Sequence, residues 1–461
     1  MLTLVDEGKH CNRRGFLTIG TLGLGGLSLP DLLRAAEQRS SLLTGKAVVF
    51  LFQQGGPSQF ETFDPKPEAP TGVRTQTGVI RTTVPGVYFG EHFPRLAAQA
   101  HRLTVVRSFQ TNNGDHNIVP VVSADTVQAT LGAYYSRVAG AMHPSTGLPT
   151  NAVLFPQSAC PDVTRGTARG DILATGGLGR AYAPFVPGSG GQQQRNMILS
   201  IPRDRLEDRR LLLSRFEQLG RAVYTPESDS GSDRLQDQAF RLLAGQKVAA
   251  ALDLNQEPAA VLARYDTSRF AAADGWSKAA RGRRGYYTGH ARALGKLMLM
   301  ARRLCEAGCG FVTVHPCYEG IWDLHADGEN LNSVEGMEAV GRAFDHAVAA
   351  FIEDLEARGL SDQILLVCCG EMGRTPRINR NGGRDHWGRL APLLLHGGGL
   401  RGGRIIGQST RDGGEPVGDP LSPRHLISSL MHTLFDVSQM RLQPTLASIA
   451  KLGEGPTITG P

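Results

Sequence analysis

Six short apolar runs, each closed by turn residues, set the tightest limit on what this chain can become: residues 46–52, 103–106, 152–155, 310–315, 364–369 and 391–396. A run that is apolar at every position, and not only at every second one, must bury both of its faces. That is the mark of a strand inside a helix-covered, mostly parallel sheet. Between the runs, apolar residues recur at three- and four-residue spacing over 205–223, 234–252, 290–307 and 334–358, and these stretches are predicted as helices. Strands alternating with helices predict an α/β fold with a central, mostly parallel sheet and helices on both faces.

The chain has 461 residues, more than a typical single domain, but α/β sheets carry long insertions, so one large domain over 37–461 is expected. A helical insertion is expected around 203–290. Hydrophobic residues make up 41% and charged residues 20%, which excludes a disordered chain. The net charge of +6 is mild and the arginines are scattered, apart from Arg281, Arg283 and Arg284. A solvated face explains that run, and no nucleic-acid partner is expected. Seven cysteines are present, with Cys368 and Cys369 adjacent in a strand, where neighbouring side chains face opposite ways; no disulfide framework follows.

Residues 12–17 read Asn-Arg-Arg-Gly-Phe-Leu and precede a mildly apolar, Gly-rich stretch that is too short for a stable transmembrane anchor. Residues 1–36 therefore resemble a twin-arginine signal peptide, with cleavage expected near Ala35 and Ala36. The partner implied is the twin-arginine export machinery. The destination is the periplasm, the cell surface or the medium. Because this route carries folded proteins, often with a metal already bound, it raises the expectation of a metal site.

Three polar clusters adjoin three of the predicted strands, and in open parallel sheets the carboxyl ends of strands are where ligands bind. Trp322, Asp323 and His325 follow the 310–315 run. Gly370, Glu371 and Arg374 follow 364–369, and Arg384, Asp385, His386 and Trp387 precede 391–396. Carboxylates and imidazoles converging from separate loops supply the oxygen and nitrogen ligands that a divalent cation needs in place of water. Arg374 and Arg384 suit a phosphate or sulfate oxyanion, or else a structural ion pair with Glu371 or Asp385. Trp322 and Trp387 are read as packing residues.

Residues 55–67, 301–314, 322–331 and 370–387 resemble the bacterial domain of unknown function 1501 family, whose members look like the sulfatase branch of the alkaline phosphatase superfamily. The resemblance covers the mature chain and implies an alkaline-phosphatase-like three-layer fold. It also implies a ligand set of Asp323, His325 and His386 with Asp385 beside them, and Glu371 at a second metal position. Where the superfamily places a metal-binding Asp after the first strand, this chain has Gln53 and Gln54, with Glu61 and Asp64 further on. Where the superfamily carries its nucleophile stand Asp115, His116 and Asn117, with Ser123 and Thr126 the nearest hydroxyls. His116 is left open as metal ligand, general base, nucleophile or plain loop histidine.

The expected function is an exported, metal-dependent hydrolase of phosphate or sulfate esters on small molecules or glycans. Zinc, manganese or calcium would polarise the ester, with Arg374 or Arg384 on the oxyanion and His116 as the catalytic imidazole. The alternative is a non-catalytic binding or assembly protein that retains the fold.

Overall fold

The computed structural model describes residues 41–163, 168–188, 246–271, 283–316 and 320–459, with isolated positions elsewhere. Nearly all of the signal-like segment and most of the 203–290 insertion lie outside these; the end of the insertion's second helical pattern is helical over Gln246–Leu252.

Each apolar run becomes a strand of one seven-stranded sheet. These are β1 (Ala47–Phe52), β2 (Thr104–Val106), β3 (Asn151–Leu154), β4 (Phe311–Val314), β5 (Ile364–Cys369) and, after a two-stranded hairpin of β6 (Gly373–Ile378) and β7 (Arg384–Trp387), β8 (Leu393–Gly397). The edge strand β9 (Arg404–Ile406) completes the order β9-β2-β8-β5-β1-β4-β3. All pairings are parallel except those of β8, which runs antiparallel to both β2 and β5.

Strand β1 shows why the sheet sits between two layers. All six of its residues are buried. Ala47, Val49 and Leu51 point into one apolar core, Val48, Phe50 and Phe52 into the other. Cys368 and Cys369 divide between the two cores in the same way, as the pleat requires. Together with Cys160, Cys305 and Cys309 they are free thiols.

The first core is covered by α2 (Arg284–Glu306) and α3 (Arg342–Arg358), the second by α1 (Leu131–Ala139) and α4 (Pro423–Leu434). Helix α2 buries Tyr287, Ala291, Leu294, Met298, Ala301 and Leu304, a three- and four-residue spacing that lays one stripe on the sheet. Helix α3 stops at Gly359, whose φ of +67° gives the left-handed cap that a Cβ would resist. The helical stretch expected over 334–358 enters α3 through a π-helical turn at Met337–Gly341. The α/β class, the mostly parallel sheet and the helices on both faces all stand as expected. Among the described residues no helix is long and apolar enough to cross a membrane.

Candidate metal centre

The sheet's topology decides which loops meet. In parallel strands the carboxyl ends of β1, β4 and β5 share one edge. Because β8 is antiparallel, with Leu393 opposite Cys369, its start lies at that same edge. Segments after β1, β4 and β5 and before β8 therefore converge, and the long loop after β2 joins them.

The turn after β1 approaches so closely that only glycine fits: Gly55 has φ +114°, and a Cβ there would lie 2.5 Å from the Asp323 amide nitrogen. The Gly55 N–H donates to both Glu371 carboxylate oxygens, at 2.8 and 3.1 Å. Glu371 and Asp323 are both buried.

Asp323 is the hub. Its Oδ1 accepts from His325 Nδ1 at 2.7 Å, His386 Nε2 at 3.1 Å and Arg374 Nη2 at 2.7 Å. Its Oδ2 meets His116 Nε2 at 3.1 Å, while the opposite nitrogen of that ring, Nδ1, meets Glu371 Oε1 at 2.9 Å. The rings of His116 and His386 stand edge to face with centroids 4.7 Å apart, and those of His325 and His386 5.4 Å apart. Burial works against charge on Asp323, but hydrogen bonds from His116, His325 and His386, with the Arg374 charge, outweigh it and hold the carboxyl far below the usual range. Burial likewise depresses His116, yet Asp323 and Glu371 together raise its pKa above the ordinary value. The hydrogen bond to Asp323 raises that of His325 against a smaller effect of burial.

Both nitrogens of each of these imidazoles face groups that only accept. His116 lies between two carboxylates. His386 lies between Asp323 and the Gly114 carbonyl, 3.2 Å from its Nδ1, and His325 between Asp323 and Asp327 Oδ2, 2.9 Å from its Nε2. A neutral imidazole has one donor only, so three close rings would each need a second proton. A divalent cation meets the same excess of acceptors without three adjacent imidazolium charges. One ligand atom each from His116, Asp323 and His386 lie within 4.8 Å of one another, and two imidazole nitrogens with a carboxylate oxygen suit a borderline or hard divalent ion.

The structure thus brings together Asp323, His325, Glu371 and His386, and adds His116 at their centre. Asp385 points elsewhere. Along β7 alternate residues face alternate sides, so Arg384 and His386 share one face while exposed Asp385 takes a hydrogen bond from Asn379 Nδ2 at 2.9 Å.

Both arginines of the clusters lie inside the protein. Arg384 pairs with the buried Glu61 through Nε, at 3.1 Å to each oxygen. Its remaining nitrogens reach the carbonyls of Thr375, Pro376, Val73 and Arg74, and its guanidinium stacks 4.1 Å from the Phe60 ring centroid. Arg374 donates to Asp323 and to the Gly55, Gly56 and Arg384 carbonyls. Each arginine does sit in a structural ion pair, but Arg374 pairs with Asp323 and Arg384 with Glu61, in place of the Glu371 or Asp385 expected from the sequence.

Asp64 likewise pairs with Lys66 and Arg107. Gln54, in the turn after β1, holds the backbone of Arg169: its Oε1 accepts from the Arg169 N–H at 3.3 Å and its Nε2 donates to the Arg169 carbonyl at 2.6 Å. The Thr126 hydroxyl closes its own turn onto Ser123. Trp322 is buried edge to face against Phe344, and Trp387 Nε1 donates to the Gly414 carbonyl, which is packing in both cases. Arg169, which approaches Asp323, has no strand end close before it in sequence and so gave no signal.

No curated protein matches. Among solved structures, Ps i-CgsB is similar at 10% identity over 88% of this chain and 76% of its own, with a TM-score of 0.33. The lipoteichoic acid synthase LtaP from Listeria monocytogenes is similar at 10% identity over 84% of this chain and 79% of its own, with a TM-score of 0.24. Residues 45–454 match the family described as protein of unknown function (DUF1501), and the chain belongs to that family.

Proposed function

We propose that the protein is an exported, metal-dependent hydrolase of phosphate or sulfate esters carried by small molecules or glycans. The observation that carries this reading is the surplus of acceptors around His116, Asp323 and His386, which a cation would balance. Zinc, manganese or calcium bound there would act as a Lewis acid toward ester oxygens.

The chain's own residues supply the rest. Asp323 gathers the imidazoles, and Arg374 fixes the carboxylate by charge and hydrogen bond. Glu371, held by the Gly55 N–H, engages His116 Nδ1 and so orients the ring and sets its tautomer, the usual service of a carboxylate behind an imidazole. The carboxylates form a buried floor, whereas the imidazoles are partly exposed and line the side from which an ester would arrive.

Turnover of aryl phosphate and aryl sulfate by the metal-supplemented protein tests the reading. His116→Ala, which removes a proposed ligand, and Glu371→Ala, which removes the carboxylate that orients it, are expected to lose at least about 10–100-fold. Ser123→Ala and Thr126→Ala are expected to stay close to wild type. Loss in Ser123→Ala alone would indicate a covalent hydroxyl route instead. No turnover with any of the three metals on either ester class would favour the non-catalytic binding or assembly role.

Export through the twin-arginine route is part of the proposal and rests on Arg13 and Arg14 before Phe16 and Leu17. Changing both arginines to Lys is expected to leave the precursor in the cytoplasm. Normal export of that variant would refute the route.

A further inference from the structure

We infer that Arg169 is the residue that receives the oxyanion of the substrate, a tetrahedral phosphate or sulfate group, a role the sequence pattern suggests for Arg374 and Arg384. The inference deepens the hydrolase reading and rests on it.

The three arginines differ in what their guanidinium groups can still do. Those of Arg374 and Arg384 are 1% and 0% exposed and are spent on buried carboxylates and backbone carbonyls. Arg169 is 32% exposed, and its contact among the described residues is an ion pair with Asp323 Oδ2 at 3.7 Å, beyond hydrogen-bond length. That oxygen is the one His116 Nε2 meets. Arg169 thus holds a free guanidinium edge beside the proposed cation and on its solvent side.

Its backbone, in contrast, is fixed. Gln54 clamps both the N–H and the carbonyl of Arg169, and the next residue, Gly55, donates to Glu371, so one turn sets the positions of Arg169 and of the centre together. Gly170, with φ +78°, lies where a Cβ would come 2.8 Å from the Ile118 side chain, which presses the loop onto the segment that carries His116. A rigid stem with an uncommitted fork is what binding two oxygens of a phosphate or sulfate requires. A glutamine suits this clamp because an amide both donates and accepts, whereas a carboxylate could not donate to the Arg169 carbonyl.

The test is calorimetric titration of the zinc-loaded protein with inorganic phosphate and, separately, with inorganic sulfate, alongside zinc content. Whichever of the two the wild type binds, Arg169→Ala is expected to bind about 10–100-fold more weakly, the scale of a lost charge-assisted pair. Arg169→Lys is expected to recover part of that loss, and zinc content to stay at the wild-type level in both. Equal affinity in wild type and Arg169→Ala overturns the inference, as does a wild type that binds neither inorganic phosphate nor inorganic sulfate, or loss of zinc from Arg169→Ala. Failure of the hydrolase reading looks different: the wild type would hold no zinc, and its titrations would be the same before and after chelation.

Discussion

Asp323→Ala is expected to abolish metal binding and to destabilise the fold by about 3–5 kcal/mol, the cost of removing one partner from a buried charge pair. Oxygens of this one carboxylate meet His116, His325, His386 and Arg374. Without it, Arg374 stays buried with its counter-charge gone, while the imidazoles lose the acceptor that aligns them. Chemical denaturation and elemental analysis would read the two effects separately. A variant of near wild-type stability that keeps its metal would show that Asp323 is not the hub.

Arg384→Leu is expected to be as damaging to stability, again about 3–5 kcal/mol, for a reason unrelated to substrate. The change leaves the Glu61 carboxylate buried without its cation and takes the donors away from four carbonyls that tie the 73–74 segment to the β6–β7 hairpin. Denaturation midpoints check it. If Arg384 instead served as an oxyanion clamp, the variant would keep its stability and show a raised KM. That result would contradict the structural placement.

The two arginines show where reading the sequence runs out. An Arg beside a ligand candidate has the same letters whether its head faces solvent or a buried Glu, and only the fold decides. Strands were legible because uninterrupted apolar runs such as 47–52 cannot be placed elsewhere without exposing a face. Clusters at their ends were legible for the same reason. The hairpin was not: Gly373–Ile378 carries Arg, Thr and Pro in place of apolar alternation, so the strand character of Arg384–Trp387, and with it the outward turn of Asp385, was hidden. The antiparallel sense of β8 was hidden too, although it brings the segment before that strand to the edge where the others end. His116 sits ten residues beyond β2 and Arg169 fifteen beyond β3, spacings at which strand ends no longer point to a residue.

The central claim is that His116, Asp323 and His386 together hold a divalent cation. Elemental analysis of the purified wild-type protein and of His386→Ala, both dialysed against the same trace metal, tests it most directly. The account predicts at least one divalent ion per wild-type chain, and an affinity at least about tenfold lower in His386→Ala, the loss seen when even an outer-shell partner is removed. A wild-type protein without metal, or a variant with unchanged metal content, would contradict it.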